Sequence, residues 1–231
     1  MKDFWEEHAL KKVEFIHSIS NLSKDQDFSK EKSKIEVLKI ENYFNEIKTI
    51  FDSSIEIGAG TCQWTPLLKR FSKNVLATDT SISMLKKGQE YVQRNYKVKG
   101  ISFFWGDILK ERYPQKSPYD LFFISGLLLY LDEKKFLNLL NFINNFASKE
   151  SIIVMREPVA VNKKYILDNV FSEELQMNYS AIYRTENEII ENLKRFGFSI
   201  SYKKWFHPDG SKFNRWDETR LKLLSFKRIS K

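Results

Sequence analysis

The chain has 231 residues, of which 42% are hydrophobic, 29% charged and 15% aromatic, and its formal net charge is +8. This composition excludes a disordered or fibrous protein, and the length allows one large domain with a substantial core. The single cysteine, Cys62, excludes an internal disulfide and a multi-cysteine zinc site. The three histidines lie far apart without metal-ligand spacing, so the sequence predicts no bound metal.

The positive charge is spread along the chain rather than concentrated in one element. Lysine doublets such as Lys86-Lys87 occur, but there is no basic run of the kind that nucleic-acid-binding elements carry. The distribution favours lysines on an ordinary solvated surface over a DNA or RNA interface. A basic face for an anionic substrate stays open.

Two features predict the compartment. The first eight residues are charged where a signal peptide would be apolar, and the longest nearly unbroken apolar stretch, 121–131, is about half the roughly 20 residues of a membrane span. We therefore expect a soluble, cytoplasmic protein without a transmembrane segment.

The first 50 residues have helical periodicity in two parts. Apolar residues recur at mostly helical intervals over 4–19 and again over 30–51, with a polar connector at 20–29. We expect residues 1–52 to form an N-terminal helical extension.

From Ser53 onward, short apolar runs alternate with longer amphipathic segments. The predicted strands, each followed by small or charged residues, are 54–57, 74–78, 101–105, 121–124 and 151–155. The predicted helices between and after them are 84–92, 136–146, and one that begins at a capping box, Thr185 to Glu188, and stops at Gly197. Two last strands, 200–205 and 221–227, are expected to form an antiparallel edge. The alternation predicts an α/β fold with a doubly wound sheet.

Ligands of such sheets bind beyond the carboxyl ends of the strands, so the residues that end each strand are the candidates for a site. The first strand ends in Gly58-Ala59-Gly60, which allows a ligand close to the backbone. Asp79 ends the second strand, 21 residues after Gly58, at the spacing of a carboxylate that binds a ribose diol. Asp107 follows the third strand, where its carboxylate and the amide of Ile108 suit an adenine edge. A tight turn or helix cap is the alternative reading for each position.

The glycine motif departs from that of dinucleotide-binding proteins at one position. A third glycine would be needed at position 63, where this chain has Gln63. A pyrophosphate needs that close approach, whereas an adenosyl ligand without phosphates does not. The departure disfavours a nicotinamide-dependent oxidoreductase, which remains an alternative.

Together these motifs resemble the class I S-adenosylmethionine-dependent methyltransferase family. The segments that carry the likeness, in the family's order, are 56–61, 77–85, 106–108, 119–131 and 195–199. The resemblance covers about 53–205. It implies a Rossmann-like methyltransferase fold, with a mostly parallel sheet of seven strands, an antiparallel edge strand and N-terminal helices. The methyltransferase domain would span 53–231, with an insertion around 158–184 that forms a substrate wall.

The resemblance also implies roles in binding S-adenosylmethionine. Gly58, Ala59 and Gly60 would line its methionine and ribose part, and Asp79 would bind the ribose hydroxyls. Thr80 and Met84 would lie beside the adenine, Asp107 and Ile108 would hold the adenine edge, and the carbonyl of Ser125 would receive the ammonium group. Glu56 would orient the glycine turn. The candidates for a general base are Tyr130, Asp132, Glu157 and His207, with a surface or packing role open for each.

Substrate contacts in this family often come from N-terminal helices and from insertions late in the sheet. Phe4, Trp5 and His8 are expected to close over the cofactor as a lid. The segment 165–183 is expected to form the opposite wall, with a helix packed on the core as an equal alternative. Tyr183-Arg184 would then reach an anionic or hydroxyl-rich substrate.

Missing motifs narrow the acceptor. The chain lacks the Asn/Asp-Pro-Pro-Tyr/Phe motif of nucleobase amino methylation, lacks a Pro-Cys nucleophile, and has Ser125 where catechol-type enzymes place a metal-binding Asp. We therefore expect methyl transfer to an oxygen or nitrogen of a small molecule such as a sugar, lipid headgroup or secondary metabolite. A non-catalytic adenosyl-binding module that acts with RNA or a protein remains an alternative.

Overall fold

The structure is a computed structural model that describes residues 5–6, 26–110, 118–172, 177–214 and 216–229. The chain divides into two compact units. The N-terminal unit contains the described residues 5–6 and 26–110, and the C-terminal unit contains the described residues 118–172, 177–214 and 216–229.

The N-terminal unit contains three parallel strands and three described helices. Its elements are α1 (Gln26–Ile47), β1 (Phe51–Ile57), α2 (Thr65–Arg70), β2 (Ser72–Asp79), α3 (Ile82–Tyr96) and β3 (Ile101–Trp105). The strands pair in the order β3-β2-β1. β1 and β2 are buried over most of their length, as expected of strands covered on both faces. The ring of Phe44 from α1 stacks on Phe71 at a centroid distance of 5.0 Å, which fixes that helix to the unit.

The C-terminal unit contains four strands of the main sheet and a separate hairpin. Its elements are β4 (Tyr119–Ser125), a 3₁₀ turn (Leu128–Tyr130), α4 (Glu133–Phe146), β5 (Ala147–Ala160), β6 (Tyr165–Ser172), β7 (Met177–Tyr183), α5 (Glu186–Arg195), β8 (Phe198–Trp205) and β9 (Thr219–Arg228). The strand order is β4-β5-β9-β8, and β9 runs antiparallel to both of its neighbours. β6 and β7 form the antiparallel hairpin.

The fold matches the expected doubly wound, mostly parallel sheet. The seven strands have the order β3-β2-β1-β4-β5-β9-β8, and the predicted strands and helices from 53 onward all form. The capping box at Thr185 and Glu188 is present, and Gly197 lies just beyond the helix with φ +82°. Among the described residues, no helix is long and apolar enough to cross a membrane.

Two local features differ from the sequence expectations, and a third expectation is not tested. Residues 165–172 and 177–183 form the β6–β7 hairpin, so the alternative of a helix packed on the core is wrong there. The short helix α2 was not predicted, although Pro66 in its first turn is a recognised start signal. The predicted helix 4–19 lies outside the described residues except for Trp5 and Glu6.

Candidate functional site: strand ends of the two units

The turn after β1 in the N-terminal unit is fixed by hydrogen bonds to β2. Gly58 and Gly60 have φ of +73° and +52°, a backbone conformation that side chains with a Cβ rarely adopt. The amides of Gly58 and Ala59 both donate to the carbonyl oxygen of Thr78, at 2.9 and 2.8 Å. The sequence therefore folds locally into a turn whose shape depends on glycine and whose position depends on β2.

Asp79 connects this turn to the next two elements. Its Oδ2 accepts a hydrogen bond from the Gly60 amide at 2.8 Å, and its Oδ1 accepts one from the Ser81 amide at 2.8 Å. Its carbonyl oxygen accepts from the Gly106 amide at 3.0 Å. Burial raises the pKa of Asp79, while the amide hydrogen bonds act in the opposite direction. The ends of β1, β2 and β3 therefore meet around one residue, Asp79, through its carboxylate and its backbone carbonyl, as the strand-end argument predicted.

The side chains expected near an adenine lie around the same strand ends. Met84 and Ile108 are buried, whereas Thr80 is exposed. The Oδ1 of Asp107 accepts from the Leu109 amide at 3.1 Å, and its Oδ2 lies 3.4 Å from Lys110 Nζ. Asp107 thus stabilises the turn after β3, which is the local role that the sequence left open beside ligand binding.

Glu56 lies behind the glycine turn in a buried position. Its carboxylate accepts a hydrogen bond from the Thr65 hydroxyl at the start of α2. Burial, together with the charge of Asp79, raises the pKa of Glu56 to about 8, although the Thr65 bond lowers it. No local pattern in the sequence indicates Thr65 as its partner, because the contact depends on the unpredicted helix α2.

The N-terminal segment contacts the start of α3. The carboxylate of Glu6 accepts hydrogen bonds from the Ser81 hydroxyl at 2.7 Å and the Ser83 amide at 3.2 Å, and it also bonds the Ser83 hydroxyl. Trp5 packs against Met84. Sequence reasoning named Trp5 but not Glu6. Phe4 and His8, named with Trp5, lie outside the described residues.

In the C-terminal unit, the end of β4 is joined to β5. Ser125 is the register partner of Arg156, whose Nη1 donates to the Ser125 hydroxyl at 3.2 Å. The Gly126 amide donates to the carbonyl oxygen of Arg156 at 3.0 Å. The Arg156 guanidinium also lies 5.9 Å from the ring centroid of Phe206. The carbonyl of Ser125, expected to receive an ammonium, therefore belongs to a strand end with a neighbouring cation.

The loop that follows β4 is held by two buried charged side chains, which we call the loop clamp (Glu157 and Arg184). The Glu157 carboxylate accepts from the Leu127 amide at 2.9 Å and the Leu128 amide at 3.2 Å. Arg184 donates to the carbonyl oxygens of Leu128 and Leu131, both at 2.9 Å. Burial raises the pKa of Glu157 to about 7, against the opposing effect of the amides. Sequence reasoning missed this use of Arg184.

The proposed general bases have different surroundings. Tyr130 ends the 3₁₀ turn and is half-buried, and burial raises its pKa. Both oxygens of Glu157 already accept from backbone amides. His207 is buried, with its ring 5.0 Å from that of Phe213. Asp132 caps α4 by accepting from the Lys135 amide at 2.8 Å, which lowers its pKa. These contacts give Asp132 and Glu157 structural roles, and Tyr130 is the candidate in a partly exposed position.

Among the described residues, no group of three or more His, Cys, Asp or Glu side chains is arranged to hold a metal ion. The geometry instead defines a Rossmann-like fold in which glycines and a carboxylate meet at the ends of three parallel strands. This is the class of α/β proteins that binds nucleosides at the carboxyl edge of the sheet.

Comparisons with known proteins match part of the chain to methyltransferases. Residues 55–148 match a family model described as a methyltransferase domain. The chain is 28% identical over 157 residues to phosphoethanolamine N-methyltransferase 1 of Triticum aestivum. That alignment covers 68% of this chain but 30% of the relative, so the chain spans about a third of that protein's length. The match of residues 55–148 to a methyltransferase domain agrees with the resemblance that the motifs of this segment carry.

Solved structures of this fold superpose on nearly the whole chain. Phosphoethanolamine N-methyltransferase 1 of Haemonchus contortus, in complex with phosphoethanolamine and S-adenosylhomocysteine, has a TM-score of 0.69 at 19% identity, over 100% of this chain and 48% of that chain. A DhpI complex with S-adenosylhomocysteine has a TM-score of 0.67 at 14% identity, over 99% and 95%. The N-methyltransferase NodS of Bradyrhizobium japonicum has a TM-score of 0.64 at 15% identity, over 98% and 99%. At these identities the likeness establishes the fold.

Proposed function

We propose that the protein transfers the methyl group of S-adenosylmethionine to the nitrogen of a small amine. The observation that carries the donor is the position of Asp79, whose carboxylate bonds both the glycine turn and the start of α3. The choice of nitrogen rests on the relatives, because the wheat, Haemonchus and Bradyrhizobium proteins are all described as N-methyltransferases. Transfer to an oxygen of a small molecule is the alternative.

The residues of the N-terminal unit fit an adenosyl group. A Cβ added at Gly60 would lie 3.2 Å from the Met84 Cε, so the glycine leaves room between the turn and that side chain. Asp79 and Asp107 are hydrogen-bond acceptors of the kind that ribose hydroxyls and an adenine amino group require. Gly58, Gly60, Asp79 and Asp107 would therefore hold the donor, with Met84 and Ile108 as apolar neighbours of the base.

S-adenosylmethionine, when bound, would supply an activated methyl group; its transfer would break the carbon–sulfur bond, leave the thioether and require the acceptor nitrogen to lose one proton. The chain's own residues supply alignment rather than a strong nucleophile. The loop clamp fixes the backbone between Ser125 and Leu131, which carries Tyr130. Tyr130 is our candidate to accept a hydrogen bond from the acceptor nitrogen or to pass its proton to water.

We also propose that the N-terminal segment covers the donor site. Trp5 and Glu6 contact Met84, Ser81 and Ser83, which lie at the start of α3 beside Asp79. A segment attached at this position excludes water from the edge of the sheet where the donor binds. The β6–β7 hairpin is the proposed acceptor wall.

The donor assignment is tested by calorimetric titration with S-adenosylhomocysteine. Asp79→Asn removes the charge and one acceptor, and hydrogen bonds to charged groups are worth about 1.5–3 kcal/mol each, so we expect binding to weaken roughly 100-fold. The matched control is Asp52→Asn, since Asp52 is an exposed partner of Lys73 and should leave binding unchanged. Equal affinities of the wild type and of Asp79→Asn for S-adenosylhomocysteine would show that Asp79 does not bind the donor.

The acceptor is tested by methyl-transfer assays on a panel of small amines, matched hydroxyl compounds and an RNA oligomer. We expect transfer to an amine. Transfer to a hydroxyl compound would show that the acceptor atom is oxygen rather than nitrogen. Donor binding without transfer to any compound would favour the non-catalytic module. Stabilisation by NADH but not by S-adenosylhomocysteine in thermal unfolding would support the oxidoreductase instead.

A further inference from the structure

Four tyrosines come together in the C-terminal unit, and we call them the tyrosine cluster (Tyr130, Tyr165, Tyr179 and Tyr183). Tyr165 and Tyr183 are register partners across the β6–β7 hairpin, with ring centroids 6.0 Å apart. Tyr179 lies on β7, and Tyr130 comes from the 3₁₀ turn after β4. All four belong to one packed group. The hairpin therefore brings three phenols toward the turn that supplies the fourth.

The tyrosine cluster has a buried floor and an accessible rim. Tyr183 is 7% exposed and packs with Leu129, Ala160 and Ala181, which are buried apolar residues. Tyr130, Tyr165 and Tyr179 are each half-buried, so part of every one of these side chains reaches solvent. Part of each of these three side chains is therefore accessible, beside a group of buried apolar residues.

The electrostatic surroundings of the cluster favour a positive ligand. Burial raises the pKa of Tyr130, Tyr179 and Tyr183, so these phenols are neutral near pH 7. Neighbouring phenols raise the pKa of Tyr130 and Tyr183 further, whereas a hydrogen bond with Tyr183 lowers that of Tyr179. The negative charge of Glu157 also raises the pKa of Tyr130. Neutral phenols beside a buried carboxylate present oxygen acceptors and electron-rich rings to a cation.

We propose that the tyrosine cluster is the acceptor subsite and that it binds the ammonium group of the amine before transfer and of the methylated product after it. Aromatic rings attract ammonium groups, most strongly where water is partly excluded, and phenol oxygens accept hydrogen bonds from N–H. The electron-rich faces of the rings offer an anionic group no comparable attraction. This inference rests on the proposed methyl transfer and adds to it the part of the chain that recognises the acceptor.

A direct consequence is discrimination by charge rather than by shape. Choline and 3,3-dimethylbutan-1-ol have nearly the same shape, but only choline carries a positive charge. A cavity that recognises apolar surface binds the two equally, whereas the tyrosine cluster should prefer choline. The comparison therefore separates cation recognition from simple hydrophobic contact.

The test is calorimetric titration of the full chain, saturated with S-adenosylhomocysteine, with each of these two compounds and with inorganic phosphate. We expect choline to bind at least tenfold more tightly than its neutral analogue, and phosphate not to compete with it. Tyr179→Leu should weaken choline binding about tenfold, because it removes a ring at the accessible rim. Tyr165→Phe keeps the ring and loses the hydroxyl, so it should weaken choline binding less.

The matched control is Tyr96→Leu, at an exposed tyrosine of α3 outside the cluster. It should leave the binding of both choline and S-adenosylhomocysteine unchanged. Unchanged S-adenosylhomocysteine binding and circular dichroism in Tyr179→Leu would show that the hairpin substitution has not unfolded the protein.

Three results would overturn the inference. They are equal binding of choline and its neutral analogue, competition by phosphate, and choline binding that Tyr179→Leu leaves intact. Each can occur while donor binding and methyl transfer persist, in which case the proposed function stands and the acceptor subsite lies elsewhere. Failure of the wild-type protein to bind S-adenosylhomocysteine would instead contradict the proposed function itself.

Discussion

The two units of the chain each place a buried carboxylate at a loop, but they stabilise those loops differently. In the N-terminal unit, Asp79 accepts hydrogen bonds from the amides of Gly60 and Ser81. In the C-terminal unit, Glu157 accepts from the amides of Leu127 and Leu128. In both cases burial raises the pKa and the amides oppose that rise.

The two loops differ in the other features that hold them in place. The turn before Asp79 has glycines at positive φ, so backbone conformation shapes it. The loop held by Glu157 also begins with a glycine at positive φ, Gly126 at +64°, but Arg184 in addition fixes the carbonyl oxygens of Leu128 and Leu131. Two buried charged side chains therefore hold the second loop together with its glycine, so the two loops should respond differently to substitution.

The largest expected effect comes from breaking the loop clamp. Arg184→Met keeps much of the apolar stem but leaves the carbonyls of Leu128 and Leu131 without their donor. Since each unsatisfied buried group costs about 1–3 kcal/mol, we expect a loss of about 3 kcal/mol in the free energy of unfolding, measured by urea denaturation. We also expect weaker binding of the amine, because the turn carries Tyr130.

The control for this substitution is Arg70→Met. Arg70 forms an ion pair with Glu41, but 59% of its side chain is exposed. Exposed pairs contribute about 0–1 kcal/mol, so the same change should have little effect there. Equal losses at the two arginines would contradict a special role for the buried one.

We expect the glycine turn of the N-terminal unit to be displaced by a side chain added at Gly88 on the neighbouring helix α3. A Cβ added at Gly88 on α3 would lie 2.6 Å from both the Cys62 Sγ and the Thr61 carbonyl carbon. Overpacking of this kind costs about 1–3 kcal/mol, so Gly88→Ala should destabilise the protein by about 2 kcal/mol although alanine favours helices. It should also weaken S-adenosylhomocysteine binding, because the displaced backbone adjoins Gly60.

Glu90→Ala provides the comparison on the same helix. Glu90 is exposed, and surface substitutions of this kind usually change stability by less than about 0.5 kcal/mol. A stable Gly88→Ala variant with unchanged ligand affinity would show that α3 and the turn can move apart without cost.

The parts of the site that lie at strand ends could be predicted because parallel strands end at one edge of the sheet. Apolar runs located β1, β2 and β3, and this placed Gly58, Asp79 and Asp107 at that edge before any contact was known. The same reasoning located β4 and β5. The helix from the Thr185 capping box was predictable because both capping residues lie within one turn.

The hairpin and the loop clamp could not be predicted in the same way. The register of the hairpin shifts between Leu167 and Val170, and Asn169 has φ +51°, so the alternation that marks a strand is interrupted. Arg184 contacts Leu128 and Leu131, which lie more than 50 residues earlier. Such a contact depends on tertiary packing, and no local pattern in the sequence reports it.

The pH dependence of stability sharpens the comparison of the two buried carboxylates. Glu56 is bonded by the hydroxyl of Thr65, whereas Glu157 is bonded by two amides, and their pKa values are raised to about 8 and about 7. A carboxyl whose pKa is higher in the folded than in the unfolded protein favours folding below its unfolded pKa, near 4.5, and this contribution is lost as pH rises. Stability should therefore fall between about pH 4.5 and 8, because the folded protein must ionise both groups against burial.

Glu56→Gln should flatten that decline in stability, as measured by urea denaturation at pH 5 and pH 9. Glu46→Gln, at an exposed position, should leave the decline unchanged. An unchanged slope in Glu56→Gln would mean that Glu56 ionises without cost, and the contrast between hydroxyl and amide partners would then not govern these carboxylates.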